Sequence, residues 1–223
     1  MNINKPWDWN KDQNDRWLTP SEDSYFLLKR WSSQGLKRFL DLGCGRGRHA
    51  ILFSKKGFKV TATDLSENVI DELSKYAYDN KLYIKCDVSD MTSLPYEDNS
   101  FDCLLAYHVI YHTNRDGVRN ALKEIYRVVR NEGEVFLTFG SSITLEKTFG
   151  KYEFLEDRVI IKNEDGAETG VPHFYPNDED LKELLKNFEV IEIRLSQNVD
   201  LYNNIHKSFH YFILAKVKKN NIN

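Results

Sequence analysis

A chain of 223 residues with 41% apolar and 29% charged side chains has room for one sizeable α/β domain and is short for two. A formal charge of −3 and a pI near 6.1 leave no electrostatic footprint for nucleic acid, and the composition is that of a folded chain. No apolar run approaches the roughly 18 residues a membrane helix needs, and Met1-Asn2-Ile3-Asn4-Lys5-Pro6-Trp7 lacks a signal-peptide core, so the expected compartment is cytoplasmic, with no membrane partner.

In chain order, the first 35 residues hold all four tryptophans: Trp7, Trp9, Trp17 and Trp31. Thr19 as N-cap, Pro20 at the first helical position and Glu22 three residues after the cap form a capping box. This predicts a helix through about Trp31 and an N-terminal helical cap over residues 1–35. Arg38 to Leu42 reads as an apolar strand, followed by a helix from about Arg48 to Lys56 that Gly57 closes. Phe58 to Thr63 is a second strand, Ser66 caps a helix to about Tyr78, and Leu82 to Cys86 is a third strand. The polar loop Asp87 to Ser100 leads to a buried-type strand, Phe101 to Ala106. Ala121, Leu122, Ile125, Val128 and Val129 then fall at helical spacing within Val118 to Val129. Asn131-Glu132-Gly133 stops that helix, and Glu134 to Phe139 is the fifth strand.

From Gly140 to Pro176 the alternation lapses: Tyr152 to Lys162 reads as a strand or hairpin arm, and Gly166 and Gly170 bracket a turn. Asn177 caps a helix with Leu181, Leu184, Leu185 and Phe188 on one face. Two late strands, about Val190 to Leu195 and His210 to Val217, have no helix between them. They are expected to pair antiparallel at the sheet edge, joined by a longer loop. Strands alternating with crossover helices imply an α/β fold with a parallel, doubly wound sheet. Residues 1–223 are thus one domain: the cap, a ligand-binding core (36–140), an insertion on the substrate side (141–176) and a C-terminal helix and strands (177–223).

The densest chemical signal is Asp41-Leu42-Gly43-Cys44-Gly45-Arg46-Gly47-Arg48, where a strand turns into a helix N-terminus. Glycines there let a ligand approach closely, and such a turn is expected to leave backbone N–H groups unpaired. Asp41, two residues before the first glycine, would repel a pyrophosphate but suits an ammonium and a sulfonium. The spacing G-x-G-x-G also departs from the G-x-G-x-x-G of dinucleotide sites. Cys44, Cys86 and Cys103 are odd in number and widely separated, a pattern of reduced thiols rather than disulfides or a metal site.

Four landmarks make the chain resemble a class I S-adenosylmethionine-dependent methyltransferase of the small single-domain type. They are the glycine motif at Asp41 to Gly47, Asp64 at 21 residues after Gly43, Cys86-Asp87-Val88, and Asn99 to Ala106 followed by Glu124 to Glu134. The resemblance covers about residues 37 to 140 and implies a three-layer Rossmann-like sandwich on a seven-stranded, mostly parallel sheet with an antiparallel late strand. It also implies S-adenosylmethionine as cofactor and S-adenosylhomocysteine as product. Asp41 would meet the cofactor's ammonium, Asp64 the ribose diol and Asp87 the adenine amino group. Gly43, Cys44, Gly45, Arg48, Leu65, Val88, Tyr107 and His112 would complete the cofactor site.

No N-P-P-Y-like motif follows the fourth strand; Tyr107-His108-Val109-Ile110-Tyr111-His112 stands there instead and resembles the branch acting on small molecules and lipids. The candidate catalytic residues are His112, Tyr107 and His173, the last in Gly170-Val171-Pro172-His173-Phe174-Tyr175. Against these stand plain readings: His108 and His112 packing at a helix start, and His173 as a surface-loop residue. His206 and His210 share a four-residue spacing without a nearby acid pair, so no metal site is expected. Trp9, Trp17 or Tyr25 could shelter a sulfonium by cation–π contact or simply pack the first helix. The function expected is methyl transfer to a small-molecule acceptor, the rivals being a catalytically silent cofactor-binding subunit and an NAD-type oxidoreductase. Monomer and dimer are both left open.

Overall fold

The computed structural model describes residues 4–12, 14–147, 152–200 and 205–219. Two short 3₁₀ turns, Trp9–Lys11 and Asp15–Trp17, precede helix α1 (Glu22–Ser33). Five parallel strands follow: β1 (Arg38–Leu42), β2 (Lys59–Asp64), β3 (Ile84–Val88), β4 (Phe101–Ala106) and β5 (Val129–Gly140). Between them lie α2 (Arg48–Lys55), α3 (Glu67–Asp79) and α4 (Arg115–Val128). After α5 (Ser142–Lys147) come the short strands β6 (Glu153–Glu156), β7 (Val159–Ile161) and β8 (Pro172–Phe174), then α6 (Asp178–Leu184), β9 (Phe188–Asp200) and β10 (Ile205–Val217). The main sheet has the order β3-β2-β1-β4-β5-β10-β9, and β6-β7-β8 form a second, three-stranded sheet.

Only β10 in the main sheet runs against its neighbours, pairing antiparallel with both β5 and β9. It lies inside the sheet and β9 takes the edge. The expected longer loop between them is largely consumed by pairing, which extends to Asp200 and Ile205. The expected hairpin arm is β6 and β7. Strand β8 was not anticipated, because three residues beginning with a proline carry no alternation to read.

Side chains alternate across the strands, so each strand feeds two cores. Leu40, Leu42, Leu104 and Ala106 face α4 and α6, where Leu122, Ile125, Leu181 and Leu185 are buried. Phe39, Cys103 and Leu105 face the other layer, with Leu27, Trp31, Ala50, Phe53 and Leu73. Asp41 shares the face of Phe39, which puts its carboxylate beneath α2. Helix α1 is held to the sheet by Glu134 of β5: Arg30 donates twice to it at 2.8 Å, Trp31 Nε1 at 2.9 Å and Gln34 at 3.1 Å. The start of α1 departs from the expected capping box. Ser21 is the N-cap, and its hydroxyl lies 3.1 Å from His49 Nε2 instead of bonding the helix amides. Asn177 does form a capping box, with Asp180. No helix among the described residues is long and apolar enough to cross a membrane.

Candidate functional site

The strand order reverses between β1 and β4, and in a doubly wound sheet the crevice at such a switch point, beyond the strand C-termini, is where ligands bind. Here that crevice is a cleft lined by Leu42 to Gly45 after β1, Thr63 to Leu65 at β2, Ser89 to Met91 after β3 and Tyr107 to Val109 after β4. Gly43 and Gly45 have φ of +67° and +52°, values an L side chain adopts only with strain. They also lie under other groups. A Cβ on Gly43 would stand 2.2 Å from Val109 Cγ2, and one on Gly45 would stand 2.6 Å from the Trp9 ring.

The turn's amides are not the free donors expected from the glycine spacing. Gly43 and Cys44 N–H both donate to Thr63 O, at 2.8 and 2.9 Å, and Gly45 N–H donates to Asp64 Oδ2 at 2.9 Å. A pyrophosphate would find these donors already spent. What the cleft offers a ligand is the carboxylates of Asp64 and Asp90, three indoles, and the cations Lys5, Arg46 and Arg48.

Of the three acids expected to converge, Asp64 lines the cleft. Burial raises its carboxyl, partly opposed by amides of Ser66, Gly45 and Leu65. It combines the helix-start role with the cleft, since Ser66 N–H donates to Oδ1 at 2.9 Å while both oxygens keep spare lone pairs. Asp41 does not line the cleft: it is 1% exposed and accepts the Ala50 N–H of α2 at 2.9 Å. Burial pushes its carboxyl up to about 7. Asp87 turns away too, pairing with Lys85 at 2.8 Å and accepting from Tyr96 at 3.1 Å, and Val88 points to solvent. The acid that does line the cleft after β3 is Asp90, which accepts two bonds from Asn4 Nδ2, at 2.8 and 2.9 Å. It sits in an irregular turn three residues past the family landmark, so spacing alone did not single it out.

The N-terminal segment covers this cleft. Trp7, Trp9 and Trp17 form a cluster with ring centroids 5.7 to 5.9 Å apart, and all three line the cleft. Asn4 ties the segment to Asp90, Lys5 donates to Thr169 O at 2.6 Å, Asp8 N–H donates to Ala167 O at 3.0 Å, and Lys11 pairs with Asp165. Trp7 Nε1 is buried with no hydrogen-bond acceptor among the described residues. The fourth tryptophan, Trp31, packs in the core, and Tyr25 is 53% exposed and lines neither cavity. Arg48 is wedged against the faces of Trp17 and Tyr107 and donates to Arg16 O and Thr19 O. Burial lowers its guanidinium from the ordinary value.

Next to the cleft lies a second cavity, walled by α1, β9, β10 and Glu168. Arg48, Tyr107, His108 and His112 line both. His112 stacks on Trp7 (5.4 Å, 25°), and its ring stands 4.6 Å from that of His173. Burial, then the proximity of His173, lowers the His112 imidazole well below its usual range. His173 is fully buried on β8 rather than in a surface loop. Its Nδ1 lies 2.9 Å from Val171 O and its Nε2 3.3 Å from Glu168 Oε1. Burial raises Glu168, but His173 and Lys162 outweigh it and hold the carboxyl far below its usual range. His108 has φ +55° and packs 4.7 Å from His210. Glu168 was not singled out in the sequence, and His210 only for its spacing from His206, because they reach the site only through the folded insertion and β10.

Residues 40–137 match the methyltransferase domain family. That segment is similar to a methyltransferase domain. A Geobacillus sp. (strain WCH70) protein named for methyltransferase activity is 30% identical over 140 residues, covering 62% of this chain and 54% of its own length. The ubiquinone/menaquinone biosynthesis C-methyltransferase UbiE of Rickettsia akari is 30% identical over 159 residues, 61% of this chain and 60% of that protein. The chain thus spans little more than half the length of these relatives. Among solved structures, an S-adenosylmethionine-dependent methyltransferase from Clostridium acetobutylicum superposes with a TM-score of 0.68 at 18% identity, covering 95% of each chain. The match places the domain's fold among the Rossmann-like methyltransferases.

Proposed function

We propose that the cleft binds S-adenosylmethionine and that the chain transfers its methyl group to a small-molecule acceptor held in the neighbouring cavity. The observation that carries this reading is the cleft's donor-acceptor balance: amides spent inside the turn, two carboxylates and three indoles facing in. Its carboxylates suit a donor-rich nucleoside, its indoles a sulfonium and Arg48 a carboxylate, while a pyrophosphate would meet the engaged amides of Gly43, Cys44 and Gly45. The fit extends to the orphaned Trp7 N–H, which a ligand acceptor would satisfy.

In this reading Asp64 accepts from the ribose hydroxyls, and Asp90, rather than Asp87, supplies the carboxylate on the adenine side. Arg48 faces the ligand's carboxylate end, and the tryptophans shelter the sulfonium. The cofactor supplies an already activated methyl group, so the chain's contribution is alignment and exclusion of water. The covering segment excludes water, and Tyr107 and His112, lining both cavities, orient the acceptor. The formal charge of −3 and the name of the quinone-pathway relative support a small acceptor. Three free thiols fit a cytoplasmic setting.

Asp64→Ala is expected to weaken binding of S-adenosylhomocysteine by about tenfold to a hundredfold. Unchanged affinity by calorimetry would remove Asp64 from the site. Release of S-adenosylhomocysteine from the cofactor in the presence of metabolite extracts separates an active enzyme from a silent binding subunit.

A further inference from the structure

Three ligating side chains meet where β8 passes the loop after β4. The imidazoles of His112 and His173 and the Glu168 carboxylate bring their ligand atoms within 4.8 Å of one another. No spacing in the sequence marks this trio, since His112 and Glu168 are 56 residues apart. Two of the three are oriented by hydrogen bonds from outside the trio. Val171 O engages His173 Nδ1 at 2.9 Å, which directs Nε2 toward Glu168 Oε1. Lys162 Nζ bonds the other carboxylate oxygen, Oε2. His112 is clamped between the rings of Trp7 and His173.

Two imidazoles and one carboxylate are the donor set of divalent sites that keep a position open for substrate. A backbone carbonyl on the far nitrogen of a histidine is the outer contact such ligands commonly use. We propose that His112, Glu168 and His173 bind one divalent transition-metal ion, with zinc as the reference ion. Bonds of about 2.0–2.2 Å would draw the three groups together by ~1 Å, a side-chain adjustment. His112 lines both cavities and Glu168 lines the second, so the open position faces the acceptor cavity. An ion there coordinates an acceptor oxygen, nitrogen or sulfur and lowers the pKa of its proton.

Chelator-stripped full-length protein is titrated with Zn²⁺ by calorimetry and with Co²⁺ by visible absorption. One ion per chain is expected, with binding weakened more than about tenfold in Glu168→Gln and in His173→Ala and unchanged in His210→Ala. Zinc-edge X-ray absorption of the wild-type protein should show a nitrogen and oxygen shell containing two imidazoles. No binding by the wild-type protein, a sulfur-containing shell drawn from Cys44, Cys86 or Cys103, or affinity indifferent to both substitutions would overturn the proposal. The titration needs no cofactor. Zinc binding without S-adenosylhomocysteine binding would contradict the cofactor assignment alone, and the reverse would contradict the metal site alone.

Discussion

Glu134 shows how much one buried carboxylate organises. Burial raises its carboxyl, but donors from Arg30, Gln34 and Trp31 prevail and hold it below the usual range. Its contribution to stability is therefore present above the ordinary carboxylate range and fades as pH falls through the lowered folded value. Arg30→Ala leaves that charge short of its main partner and is expected to destabilise the fold by about 3 kcal/mol, read as a lowered urea midpoint at neutral pH. Asp41 has the opposite sign. With its carboxyl raised to about 7 by burial, the group favours the folded chain below the unfolded pKa, and that advantage is lost as pH rises through 7. Asp41→Asn keeps an oxygen for the Ala50 amide and removes the charge. Its melting temperature should exceed the wild-type value at pH 8, with the gap closing toward pH 4; a constant gap would show that Asp41 is not buried as described.

At the scale of elements, the parts legible in the sequence were those written in local chemistry. Arg38 to Leu42 and Phe101 to Ala106 are mostly apolar runs between turn signals, and they form β1 and β4 over those same bounds. Asn177 announces α6 because an Asx side chain caps amides of its own helix. The cleft was legible in the glycines and Asp64, which act through backbone geometry and nearby amides. The orientations of Asp41 and Asp87 were not, because a motif gives position along a strand, whereas the facing side is settled by which helix or tyrosine packs there. The N-terminal segment was equally ambiguous: tryptophans at irregular spacing carry no periodicity, and only tertiary contacts separate Trp31 from Trp7, Trp9 and Trp17. Since those three line the cleft, S-adenosylhomocysteine should change the intrinsic fluorescence. The amplitude should fall by more than half in a Trp9→Phe, Trp17→Phe double variant. A wild-type spectrum unmoved at saturation would contradict a segment that covers the cofactor.

For the whole molecule, the sheet order positions the proposed site. Reversal between β1 and β4 opens a crevice, the glycine turn lets a ligand reach its floor, and the N-terminal segment bonds to the 165–169 loop across its mouth. The second cavity adjoins it because β10 enters the sheet beside β5 and carries β9 to the edge. Two ligand chemistries compete for such a crevice, and the spent amides favour the proposed one. The most direct test is parallel calorimetric titration of the purified chain with S-adenosylmethionine and with NAD⁺ and NADH. Saturable one-to-one binding of S-adenosylmethionine with no heat from either dinucleotide is the expected result; binding of a dinucleotide in preference to S-adenosylmethionine would contradict it.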